Sequence, residues 1–338
     1  MFLSCDWGTS VLRLRLAAGR PPAARAEVKL DQGVARIHEL AALDPGALPR
    51  EERFASVLGG ACRDLARKAG SAFPGRVPLV ISGMAGSSIG WREAPYAEVP
   101  FPLDGSGARV EKLPPIVHES GVHEVLMVGG LRTSRDVMRG EEMEVLGLFS
   151  DAALCRHGEA CLVVLPGTHS KHVLVTRRRI QDFSTYMTGE LFAILQETGI
   201  LRHSLSRPAP GEPSLEDDPT LEEALRTGAE RSTARALSGT LFQVRTNALL
   251  GGMDPLRNRW FLSGLLIGAE ARDAFERAPP DLPILLAAAK AVSPAYRIVF
   301  EAIGDPGRLV VVPPELVETA AMRGQALVLD ARRGKEAA

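Results

Sequence analysis

The chain has 338 residues, 45% hydrophobic and 24% charged, with a formal net charge of −1. That length suits two domains, each able to bury a core. The charge balance gives no footing for a nucleic-acid or anionic-membrane partner, and no apolar run reaches the roughly 18 residues of a bilayer span.

The chain starts directly on strand-like sequence rather than on a basic and then apolar secretion leader. Cys5, Cys62, Cys155 and Cys161 form no C-x-x-C pair, so they read as reduced thiols in a cytoplasmic protein. In chain order, Phe2–Leu16 (FLSCDWGTSVLRLRL) reads as a β-hairpin. An apolar strand runs into an Asp-Trp-Gly-Thr-Ser turn, and the exit alternates apolar and basic residues as a half-buried strand does. Residues 17–26 then form a turn before a strand at Glu27–Leu30. Phe54, Val57, Leu58, Ala61, Cys62, Leu65 and Ala66 recur at helical spacing, predicting a helix over Arg50–Lys68. Val77–Ser82 is a buried strand ending in the glycine-rich loop Gly83–Tyr96, and Val122–Val128 is a further strand. The acidic stretch Asp136–Glu142 opens a helix that runs to Phe149.

A composition break at Arg156–Glu159 precedes Cys161–Val175 (CLVVLPGTHSKHVLV), a second hairpin shaped like the first. Placing Gly167-Thr168 on Gly8-Thr9 puts Leu165 opposite Asp6, so only the first tip carries an acid. The spacing predicts two related lobes, residues 1–157 and 158–338; two unrelated hairpins are the plainer alternative. Beyond the second hairpin, a helix opens at Thr188-Gly189-Glu190, and Arg207–Pro219 reads as a mobile connection or lid. Helical stripes follow over Leu221–Leu250. Gly264 and Gly268 lie one turn apart in the apolar stretch Trp260–Phe275. The end alternates strand Leu282–Leu286, helix Pro294–Ile303, strand Leu309–Val312 and helix Glu315–Leu327. This is α/β punctuation throughout.

A Gly-Thr-Ser tip converges backbone N–H groups and hydroxyls on a phosphate, and an aspartate beside it suits Mg²⁺, which favours one or two carboxylates plus phosphate oxygens. The second tip adds Thr168, His169, Ser170 and Lys171. A Mg-nucleotide held by both tips is the chemical expectation. Neither G-x-x-x-x-G-K-[ST] nor G-x-G-x-x-G occurs, so a P-loop is excluded and a dinucleotide fold is not favoured.

Six blocks in order, DWGTS-x-LR, GM-x-GS-x-x-GW-x-x-APY, DVMRGEE, LPGTHSKHV, YMTGEL and SGLLIGAE, closely resemble the 2-dehydro-3-deoxygalactonokinase family. The resemblance implies two ribonuclease H-like lobes of the actin-like ATPase fold with a central cleft, and ATP and Mg²⁺ as cofactors. The implied reaction is phosphorylation of the C6 hydroxyl of 2-dehydro-3-deoxy-D-galactonate in galactonate breakdown. On this reading Asp6 organises Mg²⁺, and Gly8, Thr9, Ser10, Gly167, Thr168 and Ser170 meet the phosphates. Lys171 stabilises the transferring charge. Gly264 and Gly268 lie on the nucleotide side. Gly83, Gly86, Ser87 and Arg139 suit the sugar-acid carboxylate, and Trp91 and Tyr96 would wall the sugar. Glu141 is the candidate base, with Glu142 and Asp136 behind it.

Ala287-Ala288-Ala289 departs from the glycine that similar enzymes tend to carry there, which would alter the nucleotide side if positive φ were required. The alternatives are a kinase for a related acid such as 2-dehydro-3-deoxygluconate, or a non-catalytic sugar-acid sensor. Sugar acid and ATP are the expected partners, and a homodimer is the oligomeric expectation.

Overall fold

The computed structural model describes residues 1–43, 46 and 48–337. Contacts divide the chain into two compact units. Unit 1 comprises Met1–Glu159, Thr176–Asp182 and Glu315–Ala338; unit 2 comprises Ala160–Val175 and Phe183–Pro314.

In unit 1, β1 (Phe2–Trp7), β2 (Leu12–Ala18) and β3 (Ala23–Leu30) form an antiparallel meander. The turn read over residues 17–26 is therefore shorter, because β2 and β3 extend into it. Helices α1 (Val34–Leu43) and α2 (Arg50–Ala69) lead to β4 (Leu79–Gly83), which lies parallel to β1 with Trp7 opposite Gly83. The short strands β5 (Ala97–Glu98) and β6 (Phe101–Pro102) precede β7 (Val110–His118) and β8 (Gly121–Val128). Then come β9 (Leu131–Arg132), β10 (Val137–Met138) and α3 (Glu141–Phe149). The main sheet has the order β3-β2-β1-β4-β8-β7, with β8 parallel to β4.

Helix α2 forms because its apolar residues fall on one stripe, and Phe54, Leu58, Ala61, Cys62 and Leu65 are buried along it. Glu51 and Glu52 in its first turn, with Arg67 and Lys68 in its last, suit the helix dipole. Phe54 packs with Trp7 and Trp91, ring centroids 5.3 and 6.5 Å away, in the middle of this core.

The second sheet and its helices comprise β11 (Ala160–Leu165), β12 (Ser170–Thr176), β13 (Arg179–Tyr186), α4 (Thr188–Glu197) and α5 (Pro219–Ala234), all within unit 2 except Thr176 and the first half of β13, which group with unit 1. The short helices α6 (Leu237–Thr240) and α7 (Gln243–Leu249) precede α8 (Pro255–Arg277), β14 (Ile284–Leu286), α9 (Ser293–Ile303) and β15 (Leu309–Val311). The strand order is β15-β14-β11-β12-β13, with β14 parallel to both β11 and β15. Both units thus place three consecutive strands side by side and add two parallel crossover strands beyond the first. This is the ribonuclease H-like order, used twice.

The duplication reaches the individual strands. β1 and β11 are each 6 residues, β2 and β12 each 7, and β3 and β13 each 8. Residues 8–11 and 166–169 make the two turns. On these limits Asp6 falls on Val164 and Ser10 on Thr168, one position away from the pairing suggested by the two Gly-Thr dipeptides. The second tip still lacks an acid.

Residues 207–218, between Ser206 and α5, carry neither helix nor strand, as the prolines imply. They are nevertheless tied down: Glu212 pairs with the buried Arg259, and Leu215 enters the core of unit 2. The last helix, α10 (Pro314–Ala337), does not follow the expected division at residue 157/158. Its buried Gln325 donates from Nε2 to the Cys5 carbonyl at 2.9 Å and to Ser82 Oγ at 2.8 Å, spanning β1 and β4. Those polar contacts, made inside a core, fix the chain's end to unit 1 rather than unit 2.

Candidate active site

The first tip is shaped from outside. Gly8 N–H donates to Val11 O at 2.9 Å, closing the turn. The start of α1 then takes the tip's carbonyls: Gly33, Val34 and Ala35 N–H groups donate to Ser10, Gly8 and Thr9 O at 3.0, 3.1 and 3.0 Å. With its carbonyls engaged, the exposed tip is left to offer N–H groups and the Thr9 and Ser10 hydroxyls. A Cβ on Gly33 would lie 2.2 Å from Thr9 O, so only glycine allows this approach. Unit 2 repeats the device. A Cβ on Gly189 would lie 2.4 Å from Gly167 O, and Glu190 N–H donates to Thr168 O at 3.0 Å.

Asp6, at the end of β1, stands opposite Arg13 on β2 and Ser82 on β4. Burial raises its pKa; Arg13 and Arg15 pull it back, and Glu141 pushes it up again. Glu141 opens α3 and accepts Arg139 N–H at 3.0 Å. Glu142 Oε2 accepts Gly140 N–H at 2.7 Å, while its Oε1 is buried without a hydrogen-bond partner. Burial and the Glu141 charge push the Glu142 carboxyl up to about 8. Glu144, two positions beyond the motif, is raised well above the usual carboxylate range by burial, Asp6, Glu141 and Glu142. Sequence reasoning missed it: it sits between Met143 and Val145 in a stripe that reads as packing. Asp136 is spent on its own turn, accepting Val137 N–H at 2.7 Å.

Arg139 is the cationic counterpart. It is buried; Nη2 donates to Ala94 O at 3.1 Å, while Nε and Nη1 have no hydrogen-bond partner. Its guanidinium lies over the Tyr96 ring, 4.2 Å from the centroid. Gly86 makes room for it, since a Cβ there would lie 2.8 Å from Nη1. Gly83, at φ +94°, turns the chain out of β4 where a Cβ would lie 2.8 Å from Trp7 O. Ser87 donates its hydroxyl to Met84 O at 2.7 Å, which leaves it an acceptor rather than a donor. Trp91 is corrected from sugar wall to core residue. It is 3% exposed and packs edge-on to Trp7, centroids 6.4 Å apart. The Gly83–Arg139 region thus joins a buried guanidinium to a group of acids in unit 1.

In unit 2, Thr168 and His169 are exposed at the tip, and His169 Nε2 meets Glu190 Oε2 at 2.5 Å. Lys171 is buried on β12 and donates to His169 O at 3.2 Å. Ser170 is not available as expected: it is fully buried and bonded to Tyr296 Oη at 2.9 Å. Beside the tip lies a cavity of about 400 Å³, lined among others by Gly167, Phe192, Trp260, Ile267, Ala291 and Tyr296. Its size and its mostly apolar wall suit a flat heterocycle. Ala287–Ala289 leave the backbone undisturbed. Among the described residues the only non-glycine positive φ values are at Arg177 and Arg178, and Ala287 N–H extends the β14 pairing to Val164 O at 2.9 Å.

Gly264 and Gly268 are corrected from ligand contacts to helix packing. A Cβ on Gly264 would lie 2.0 Å from Leu225 O, and one on Gly268 2.7 Å from Ala229 Cα, both on α5. Gly264→Ala should therefore cost about 2 kcal/mol or more of stability, with nucleotide affinity following only through folding. Urea unfolding alongside nucleotide titration checks this; a lost affinity at unchanged stability would restore the ligand role.

Among the described residues no helix is long and apolar enough to cross a membrane, and no three His, Cys, Asp or Glu side chains form a ready metal cage. The family model of 2-keto-3-deoxy-galactonokinase matches residues 6–324. A 2-dehydro-3-deoxygalactonokinase of Escherichia coli (strain K12) is 31% identical over 308 residues, 90% of each chain. A Rhizobium meliloti (strain 1021) protein described as a probable 2-dehydro-3-deoxygalactonokinase is 31% identical over 310 residues, again 90% of each chain. The crystal structure of a Sinorhizobium meliloti protein assigned to the same activity superposes with a TM-score of 0.75 at 29% identity, covering 98% of this chain and 99% of that one. With its paired ribonuclease H-like sheets, its two glycine-backed tips and this match over nearly its whole length, the chain belongs to the 2-keto-3-deoxy-galactonokinase family.

Proposed function

We propose that the protein is an ATP-dependent kinase acting on the C6 hydroxyl of 2-dehydro-3-deoxy-D-galactonate. The observation that carries the substrate class is Arg139: a buried guanidinium with Nε and Nη1 unpartnered is completed by an anion, and a sugar acid brings a carboxylate. Tyr96 stacked on that guanidinium, and the backbone of Gly83 and Gly86 beside it, complete the carboxylate end. Ser87 accepts a substrate hydroxyl, and the neutral Glu142 carboxyl, with Oε1 open, donates to one.

Glu141 is the base that takes the hydroxyl proton as the phosphoryl group transfers. Its proximity to Asp6 supports this choice over Asp136. Thr9, Ser10 and Gly8 hold phosphate oxygens by N–H and hydroxyl donors, as do Thr168 and the tip backbone of unit 2, with Lys171 adding positive charge. The apolar cavity of unit 2 takes the adenine.

Asp6 fits Mg²⁺. Its carboxyl is raised by burial and by Glu141, a strain that a divalent cation relieves, and one or two carboxylates with phosphate and water suffice for that ion. Bound there, the cation would neutralise charge on the phosphate oxygens. The four cysteines are free, and burial pushes the Cys62 and Cys161 thiols up to about 12, which keeps them un-ionised packing residues.

ADP release should be observed with this sugar acid, ATP and Mg²⁺, and more slowly with 2-dehydro-3-deoxygluconate. No turnover above an Asp6→Ala control defeats the proposal. Arg139→Met should raise the KM for the sugar acid by roughly 10- to 100-fold, the worth of a charged hydrogen-bond pair. The KM for ATP should stay within about twofold, and Arg139→Lys should recover part of the loss. Equal changes in both KM values would remove Arg139 from the carboxylate site.

A further inference from the structure

Behind the second tip lies a buried hydrogen-bond chain that none of the roles above uses. Gly167 N–H donates to Ser170 Oγ at 3.4 Å, Ser170 Oγ meets Tyr296 Oη at 2.9 Å, and Tyr296 donates to Glu270 Oε2 at 3.0 Å. Thr188 donates to the same oxygen, and His172 Nε2 meets Glu270 Oε1 at 2.9 Å. Glu270 is 2% exposed on α8, yet its groups gather partners from β12, α4 and α9.

The protons in this chain can run only one way. Tyr296 and Thr188 both donate to Glu270 Oε2, so that oxygen is the acceptor on which the chain ends. Tyr296 has one hydrogen and gives it to Glu270. Burial and the Glu270 charge raise the Tyr296 phenol well above its ordinary value, so that hydrogen stays on. Ser170 must then donate to Tyr296, which turns the Ser170 lone pairs toward Gly167 N–H. Reversing any member would set two hydrogens face to face or leave a buried donor unmet. Tyr296, Thr188 and Gly167 also line the 400 Å³ cavity.

The geometry points to Glu270 as a positioning residue that, by fixing the direction of this chain, holds the second hairpin tip and the Tyr296–Thr188 wall in the shape that receives the nucleotide. Unlike Thr168 or Lys171, it touches no reacting atom; it acts through Ser170, Tyr296 and Thr188. The inference rests on the kinase reading for the identity of the ligand, but its structural part does not.

Two measurements on the full-length protein separate these layers. In amide hydrogen exchange without ligand, Tyr296→Phe and Glu270→Gln should each speed exchange of the Gly167 amide, the one tip N–H held by this chain, by about tenfold or more. Segments on β1 and α2 should keep wild-type rates. In steady-state kinetics both variants should raise the KM for ATP about tenfold, with the KM for the sugar acid unchanged within about twofold. Glu270→Asp, which keeps the acceptor, should recover part of the exchange protection.

Unchanged exchange of the Gly167 amide in both variants overturns the inference, whatever the kinetics. So does an equal rise in exchange across both units, which would mark Glu270 as a general stability residue. A wild-type protein without turnover would defeat the kinase reading alone, leaving the exchange result to decide the role of Glu270.

Discussion

Asp6→Asn should lower kcat by about 10³-fold while leaving the protein more stable than wild type at neutral pH. The activity loss follows from removing the one carboxylate on either tip. With Asp6 in the proposed Mg²⁺ role, its removal would take away the group that organises the cation, and electrostatic terms of this kind are worth several kcal/mol in phosphoryl transfer. The gain in stability follows from the direction of the Asp6 shift. Its folded pKa lies above the ordinary 3.8, because burial and Glu141 outweigh Arg13 and Arg15. A carboxyl raised on folding contributes stability that is fully present below its unfolded pKa and is lost as pH rises through its folded one. The asparagine variant has no such loss. Its advantage in thermal midpoint should therefore be visible at pH 7 and vanish near pH 3. A variant less stable at pH 7 would mean that Arg13, deprived of its facing charge, matters more than the repulsion from Glu141. A kcat within tenfold of wild type would remove Asp6 from the metal role.

That pairing of activity loss with stability gain was only half legible in the sequence. The hairpins announce themselves locally, through alternation on either side of a Gly-Thr turn, and the two copies could be matched without knowing the fold. What holds each tip in place is non-local. Gly33 and Gly189 look like ordinary turn glycines until the tip backbone is seen 2.2 and 2.4 Å from their missing Cβ positions. Strand β7 was hidden by Pro114-Pro115, residues that argue against a strand. They are accommodated because β7 is the sheet edge and its register with β8 shifts between Leu113 and Ile116. Helix α1 escaped because its start is set by the carbonyls of the first tip, with no capping signal in its own sequence.

For the site, side-chain type was legible but side-chain direction was not. Trp91 and Ser170 have chemistry suited to a ligand, and both point into cores. Gly264 and Gly268 are spaced as a close-approach face, and the approach is made by helix α5 rather than by a nucleotide. The reverse error is Glu144. Its polarity was visible, but its closeness to Asp6 depends on how α3 meets β1, which no local spacing encodes.

Glu142 carries the second large prediction. Its Oε2 accepts the Gly140 N–H at 2.7 Å, its Oε1 is buried without a partner, and its carboxyl is raised from 4.5 to about 8. Between those two values the folded protein holds a proton that the unfolded chain has released. Stability should therefore fall as pH rises from about 4.5 to about 8 and level off above. The shift corresponds to roughly 3–5 kcal/mol for a single site of this kind. Glu142→Gln imitates the protonated form, with an amide oxygen for the Gly140 N–H and an amide NH₂ where the acid proton would be. Urea unfolding at pH 5 and pH 8.5 should show a loss in wild type that shrinks by a few kcal/mol in the variant, leaving the slope that Glu144 and Asp6 supply with the same sign. The site makes the same point kinetically. If neutral Glu142 donates to the sugar acid, wild-type KM for that substrate should climb above pH 8 while the glutamine variant holds its pH 7 value. Stability curves that run parallel would show that Glu142 is ionised in the folded protein and that Arg139, already its neighbour, is its counter-ion rather than the substrate's.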